Sequence, residues 1–282
     1  TLYHPRPPSQ ITSMVSSSAA SDVYKRQTDD RARTSFWRDL AFGFRYIRQR
    51  PPFIYLLALF ALTMFLLPGD GYSLVAPLVL SFETEEVLGL VLAAYGVGSI
   101  LGGILLAVWS GKHRRMHGIL AAMAVAGLAA ILIGLTENGW IIAAGLFVTG
   151  ISFVFMVGLN RVILQIKSAP DVQGRIFSLQ MAIGVTAQAA GILIAGPLSS
   201  NVFEPLLMEG GPLVHSVGAV IGAGPGRGIA FLFMVLGLLE LLIVLVSSLM
   251  PRVRLLEDEL PDYEIEEDGA RGAAPSSQLQ SA

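Results

Sequence analysis

Six long apolar runs, at residues 53–80, 87–109, 118–135, 140–159, 176–202 and 229–249, occupy most of the sequence, and the charged residues lie almost entirely between them. Each run reaches the roughly 20 residues that a helix needs to cross a hydrocarbon core ~30 Å thick. Inside a bilayer no water is available to the backbone, so a spanning run has to satisfy its own N–H and C=O groups as a helix. The expected fold class is an all-α membrane protein built on a six-helix transmembrane bundle over residues 51–250.

The connections alternate in charge. Arg38, Arg45, Arg48 and Arg50 precede the first run; Lys112, Arg114 and Arg115 follow the second; Arg161, Lys167 and Arg175 follow the fourth; Arg252 and Arg254 follow the sixth. The other three connections carry Glu83, Glu85 and Glu86, then Glu137, then Glu204 and Glu209, with Arg227 as their one base. Lys and Arg are retained on the cytoplasmic face, so both termini are expected in the cytoplasm, with the chain embedded in an inner or plasma membrane.

Composition narrows the function. At 53% hydrophobic and 14% charged residues over 282, with a mean hydropathy of +0.64, the chain has the bilayer as its solvent. The basic residues are spent on topology and leave no nucleic-acid footprint. The sequence has no cysteine, which excludes disulfides, iron–sulfur clusters and Cys-based zinc sites, and no cofactor is implied. His4, His113, His117 and His215 all fall outside the runs or at their edges, and no His-Glu-x-x-His motif occurs, so a membrane-embedded catalytic set is not expected. The stretch 222–228, Gly-Ala-Gly-Pro-Gly-Arg-Gly, has the glycines of a phosphate loop but neither the preceding strand nor the following Lys-Ser/Thr.

Residues 1–35 have neither apolar periodicity nor a signal-peptide pattern, and 16–27 read as translated adaptor sequence or as a disordered arm. Residues 36–50 place Phe36, Leu40, Phe44 and Ile47 at helical spacing among arginines, the pattern of an amphipathic helix on the membrane surface. Residues 251–282 form an acidic tail that is expected to be disordered.

Ionisable groups at membrane depth are costly and therefore candidates for function. Asp70 sits in the first run beside Pro68, Gly69 and Gly71, where the helix should break; it either faces an interior pathway or belongs to an outer turn. Glu240 lies among leucines in the last run. Asn160, Gln180, Thr186 and Gln188 either line a pathway or bridge helices, and bridging is the commoner role. Gly98 and Gly102, spaced as small-xxx-small, and Gly191 and Gly196 are read as close-packing positions, with a kink at Pro197.

The connection after the fourth run reads Leu164-Gln165-Ile-Lys-Ser-Ala-Pro170-Asp171-Val-Gln-Gly174-Arg175-Ile176-Phe177-Ser178. It resembles the Gln, Pro-Asp, Gly-Arg-Val-x-Ser signature before the eleventh helix of major facilitator superfamily transporters, most like the drug:proton antiporter branch that includes macrolide-efflux and enterobactin-export proteins. The helix at 36–40, the glycine-rich second run ending in Arg114-Arg115, the Gly-Pro-Gly-Arg-Gly at 224–228 and the acidic stretch 256–262 agree in order with that family. The likeness covers residues 36–262. It departs in one place: where the family echoes Gly-x-x-x-Asp-Arg-x-Gly-Arg-Arg, Val108, Trp109 and Ser110 supply no acid, and only Gly111, Arg114 and Arg115 match.

The resemblance implies that the six spans correspond to helices seven to twelve, and hence to the C-terminal half of a twelve-helix secondary transporter, whose partner is either an N-terminal six-helix half or a second copy of the chain. It implies proton-coupled efflux of a hydrophobic or amphipathic small molecule. Asp70 rises as a pathway residue, because the seventh helix lines the cavity, and Glu240 falls, because the twelfth is peripheral. Arg114, Arg115, Gln165, Asp171, Gly174 and Arg175 are implied in gating where the halves meet. Two other readings stay open: a permease subunit driven by a separate ATPase, against which the absence of a coupling-helix Glu-Ala-Ala…Gly stretch counts, and a non-transporting scaffold, which gains nothing from a broken span.

Overall fold

The structure, a computed structural model, describes residues 43–48, 51–66, 72–109 and 115–251. All regular structure among these residues is helical. Helices α1 (Pro51–Leu66) and α2 (Tyr72–Leu80) are followed by α3 (Glu85–Val108), α4 (Arg115–Gly134) and α5 (Gly139–Lys167). Helix α6 (Pro170–Leu198) continues through a π-helical turn (Ser199–Phe203) into α7 (Glu204–Leu207); α8 (Gly218–Ile221) and α9 (Arg227–Leu249) complete the order. Among the described residues five helices are long and apolar enough to cross a membrane: α3, α4, α5, α6 with its extension, and α9. At 16 residues α1 is shorter.

Local chemistry sets the helix boundaries. Pro51 and Pro170 open α1 and α6, where a missing N–H costs nothing and the fixed φ suits the first turn. Asn138 caps α5 by accepting from the Trp140 N–H at 2.9 Å. Glu85 and Glu86 place negative charge in the first turn of α3, which favours the helix dipole.

Glycines bring the long helices together. A Cβ on Gly102 of α3 would lie 2.6 Å from the Ile151 carbonyl of α5; Gly98 abuts Phe147 one turn away, and Gly150 of α5 abuts the Tyr95 backbone in return. Helices α4 and α9 approach through Gly127 and Gly237, each facing the other's carbonyl. Gly184 of α6 receives the Phe60 ring of α1, 2.7 Å from where a Cβ would stand. Without a hydrophobic drive between helices in lipid, such backbone proximity supplies the van der Waals contact that holds them.

The buried side chains form two clusters. One, at the Arg-rich end, joins Phe53, Leu56, Met116, Ile119, Met123 and Ile163; the other, at the acidic end, joins Leu74, Leu78, Tyr95, Ile133, Ile142 and Ala230.

The break expected beside Pro68 and Gly71 falls within residues 67–71, outside the described residues; on either side of them the first apolar run is helical, as α1 and α2. Two other sequence expectations change in detail. The stretch 165–178, read as a connection, is helical except at Ser168 and Ala169: Gln165 lies in the last turn of α5, and Asp171, Gly174 and Arg175 fall in the first turns of α6. The physical reason is Pro170, which starts α6 six residues ahead of the apolar run. Pro197 lies inside α6 and is followed by the π turn; Ser199 and Ser200 hydroxyls donate to the Gly196 carbonyl at 2.8 and 3.2 Å. Of the segment 36–50, residues 43–48 are described and helical, with Ile47 buried and Phe44 exposed. The expectations for residues 1–35 and for the acidic tail beyond Pro251 lie outside the described residues.

Candidate functional site

Three buried polar groupings stand out against the apolar helices. The first is Glu240, which is 0% exposed. It lies on the face of α9 that meets α1, where the Thr63 hydroxyl donates to Oε1 at 3.1 Å. Thr63 itself is buried, one turn before the end of α1. The second oxygen, Oε2, is buried without a hydrogen-bond partner among the described residues. A buried carboxyl with one oxygen unpaired is an expensive arrangement, since a polar group removed from water without a partner costs roughly 1–3 kcal/mol by mutational measures.

The second grouping joins α5 to α6. Asn160 and Gln180 are each 2% exposed, and the Gln180 amide donates to Asn160 Oδ1. This is a bridge between helices. Gln188, two turns along α6 from Gln180, is half-buried.

The third lies at the acidic end, around the loop 222–228. Gly222, Gly224 and Gly226 have φ of 90°, 119° and 82°, values that side-chain-bearing residues rarely adopt. That path aims the first N–H groups of α9 at Glu204, whose carboxylate accepts from Gly226 at 2.6 Å and Gly228 at 3.0 Å. The helix N-terminus is thus closed by an internal anion. Arg227, only 2% exposed, pairs with Glu137 at 3.3 Å, donates to the Ile221 carbonyl at 2.8 Å and stands 5.4 Å from the centre of the Phe82 ring. Glu83 adds a further link, from the α2–α3 connection to the start of α5, accepting from the Gly139 N–H at 3.3 Å. Together these contacts clasp the connections α2–α3, α4–α5 and α7–α9 to the start of α9.

The remaining predicted residues are dispersed. Gln165 is exposed and its carbonyl accepts from the Gln173 amide at 2.9 Å. Arg115 opens α4 and Arg175 lies exposed on α6 beside Gly174, where a Cβ would meet nothing within 4 Å. Gly191 is buried and Gly196 half-buried. Asp70 and Arg114 lie outside the described residues, and the side chain of Asp171 is likewise not described. Among the described residues the structure therefore brings together Asn160 with Gln180, and Glu240 with Thr63, but assembles no single polar cluster from the predicted set.

Sequence reasoning missed two things here. Thr63 carried no signal, since a lone threonine in an apolar run is unremarkable. The clasp did leave one: Arg227 is the single base among acidic connections, at the start of a helix whose own N-cap position, Gly226, has no side chain to cap it.

A groove of about 330 Å³ runs between α1 and α9, with Tyr55, Leu59, Leu62, Ile243 and Ser247 in its walls. By helix register it begins one turn from the Thr63–Glu240 pair. A second groove, about 250 Å³, lies between residues 43–48, α1 and α6. Both are almost entirely apolar.

Long apolar helices packed through glycine, with polar groups confined to paired interior positions and to one clasped end, define a multi-helix membrane protein. The family model of the Major Facilitator Superfamily matches residues 5–195, and the chain belongs to that family of membrane transporters. It is similar to Macrolide efflux protein A of Streptococcus pyogenes, at 23% identity over 171 residues, covering 60% of this chain and 42% of that protein. It is also similar to Macrolide efflux protein A of Enterococcus faecalis, at 24% identity over 161 residues, 56% of this chain and 50% of the relative. The chain thus matches half or less of the length of these relatives. No solved structure matches.

Proposed function

We propose that the chain forms the C-terminal six-helix half of a secondary active transporter that exports a hydrophobic or amphipathic small molecule in exchange for protons. The observation that carries this reading is membership of the superfamily together with two relatives named for macrolide efflux. The span count rests on α1 and α2 acting as one interrupted crossing alongside the five longer helices. The charge alternation supports cytoplasmic termini in a cell membrane.

A second six-helix bundle has a place to pack. Val97, Ile100 and Ile104 of α3, and Val185 and Leu193 of α6, are exposed apolar side chains, and Gly89, Gly96 and Gly174 present backbone with open space beyond. Transporters of this architecture rock two bundles about a site at mid-membrane, with broken helices lining it. Arg115, Arg175 and Gly174, with Arg114, Gln165 and Asp171, then lie where the bundles meet during gating.

In the proton step, Glu240 and Asp70 are the proposed carriers. Uptake of a proton at Glu240 Oε2 removes a charge from between α1 and α9, and release restores it. Because Thr63 ties the same carboxyl to α1 just ahead of residues 67–71, each change of charge acts on the helix expected to line the pathway. Gln188 and the Asn160–Gln180 bridge supply the polar positions of that pathway.

The test is drug accumulation in cells expressing the complete polypeptide with Asp70→Asn, Glu240→Gln or both. Efflux that is lost, or uncoupled from the proton gradient, in either variant is expected. Proton-driven efflux unchanged in the double variant would refute the proton-coupling assignment, and efflux that needs ATP but survives collapse of the gradient would refute the secondary-transport reading.

A further inference from the structure

We propose that the groove between residues 43–48, α1 and α6 holds one anionic phospholipid, with its phosphate at Arg48 and an acyl chain laid along α1 toward Ala61. This assignment does not depend on the transported solute. The walls are apolar: Ile47, Ile54, Leu57, Ala61, Leu179 and Ile183. They follow α1 from Ile54 to Ala61, a rise of about 10 Å at 1.5 Å per residue. Phe44, 62% exposed, overhangs the same groove.

The mouth of the groove is basic. Among the described residues Arg48 is its one charged lining residue, and it is exposed three positions before Pro51 opens the span. Arg45 lies one turn earlier and is also exposed, while Arg175 lies one turn before Leu179 on α6. Residues 43–48 are held there by backbone proximity, since a Cβ on Gly43 would stand 3.3 Å from the Arg175 carbonyl. A guanidinium forms paired hydrogen bonds with a phosphate, and an apolar slot beneath it is suited to an acyl chain rather than to water. A water-soluble phosphate has no use for that slot, and a neutral lipid has none for the arginine.

The experiment is native mass spectrometry of the purified full-length protein, released from detergent containing equal dioleoyl phosphatidylglycerol and dioleoyl phosphatidylcholine. The wild type is expected to retain one phosphatidylglycerol in preference to phosphatidylcholine. Arg48→Gln should reduce that preference about five-fold, the weight of one basic side chain at an anionic surface. Ala61→Phe fills the slot and should abolish retention of both lipids. Equal retention of the two lipids by the wild type would overturn the proposal, as would an unchanged preference in Arg48→Gln. Displacement of the lipid by glycerol phosphate alone would show a phosphate site without an acyl slot and would overturn it too. Arg48 is exposed, so that variant remains informative even where Ala61→Phe fails to fold.

Discussion

Replacing Glu204 with alanine should destabilise the acidic end of the bundle more than any other surface-accessible substitution there. The carboxylate accepts two backbone hydrogen bonds, from Gly226 at 2.6 Å and Gly228 at 3.0 Å. Hydrogen bonds to a charged group are worth about 1.5–3 kcal/mol each. A negative charge at a helix N-terminus adds about 0.3–1 kcal/mol. Glu204 is only half-buried, so water recovers part of the loss, and the lower half of the summed range applies: about 3–5 kcal/mol for Glu204→Ala. Glu204→Gln keeps one carbonyl acceptor and loses the charge, so it should cost about half as much. The assay is equilibrium unfolding in mixed micelles, with hydrogen exchange resolved at the amides of Gly226 and Gly228. Both amides should exchange faster in the alanine variant while amides in the middle of α9 stay protected. A loss below about 0.5 kcal/mol, or unchanged exchange at both glycines, would refute the claim that an internal carboxylate closes this helix.

The neighbouring ion pair should respond asymmetrically. Arg227→Met strips the Ile221 carbonyl of its donor inside the fold and should cost about 1–3 kcal/mol by the same unfolding assay, whereas Glu137→Ala removes a partner whose side chain is 61% exposed and should cost under about 1 kcal/mol. Equal losses would show that the salt bridge, rather than the burial of Arg227, holds the loop. Gly102→Val should separate α3 from α5, because its Cβ would stand 2.6 Å from a backbone carbonyl that cannot yield; a loss of about 1–3 kcal/mol or failure to fold is expected, against little change for Gly96→Ala, where the space is open. A double-mutant cycle on Asn160→Leu and Gln180→Leu should return a coupling of about 0.6 kcal/mol, the usual size for such bridges in membranes; a coupling near zero would place the two residues apart.

The helices were legible because one property, apolar length, decides them in lipid, and the long α3, α4, α5 and α9 fall on the runs read from the sequence. Their ends were less so. Hydropathy marks where a helix leaves the membrane, not where its hydrogen bonds stop, so Gln165, Asp171 and Gly174 look like a connection in the sequence although they continue α5 and α6. The spacing of Gly98 and Gly102 is visible along one chain segment, but the pairing of Gly127 with Gly237 requires knowing that α4 and α9 are neighbours. The same holds for function. Glu240 stands out in any reading of the last run, yet its tie to Thr63 joins residues 177 positions apart. Glu204 and Arg227 read as topology markers, and only the fold turns them into a clasp.

Proton-coupled export is tested by transport in proteoliposomes containing the complete polypeptide, loaded with a labelled amphipathic solute and given an imposed pH gradient without ATP. Movement of the solute that follows the gradient, reverses when the gradient is reversed and stops when a protonophore collapses it is the predicted result. Movement indifferent to the gradient, or none until ATP is supplied, would contradict it.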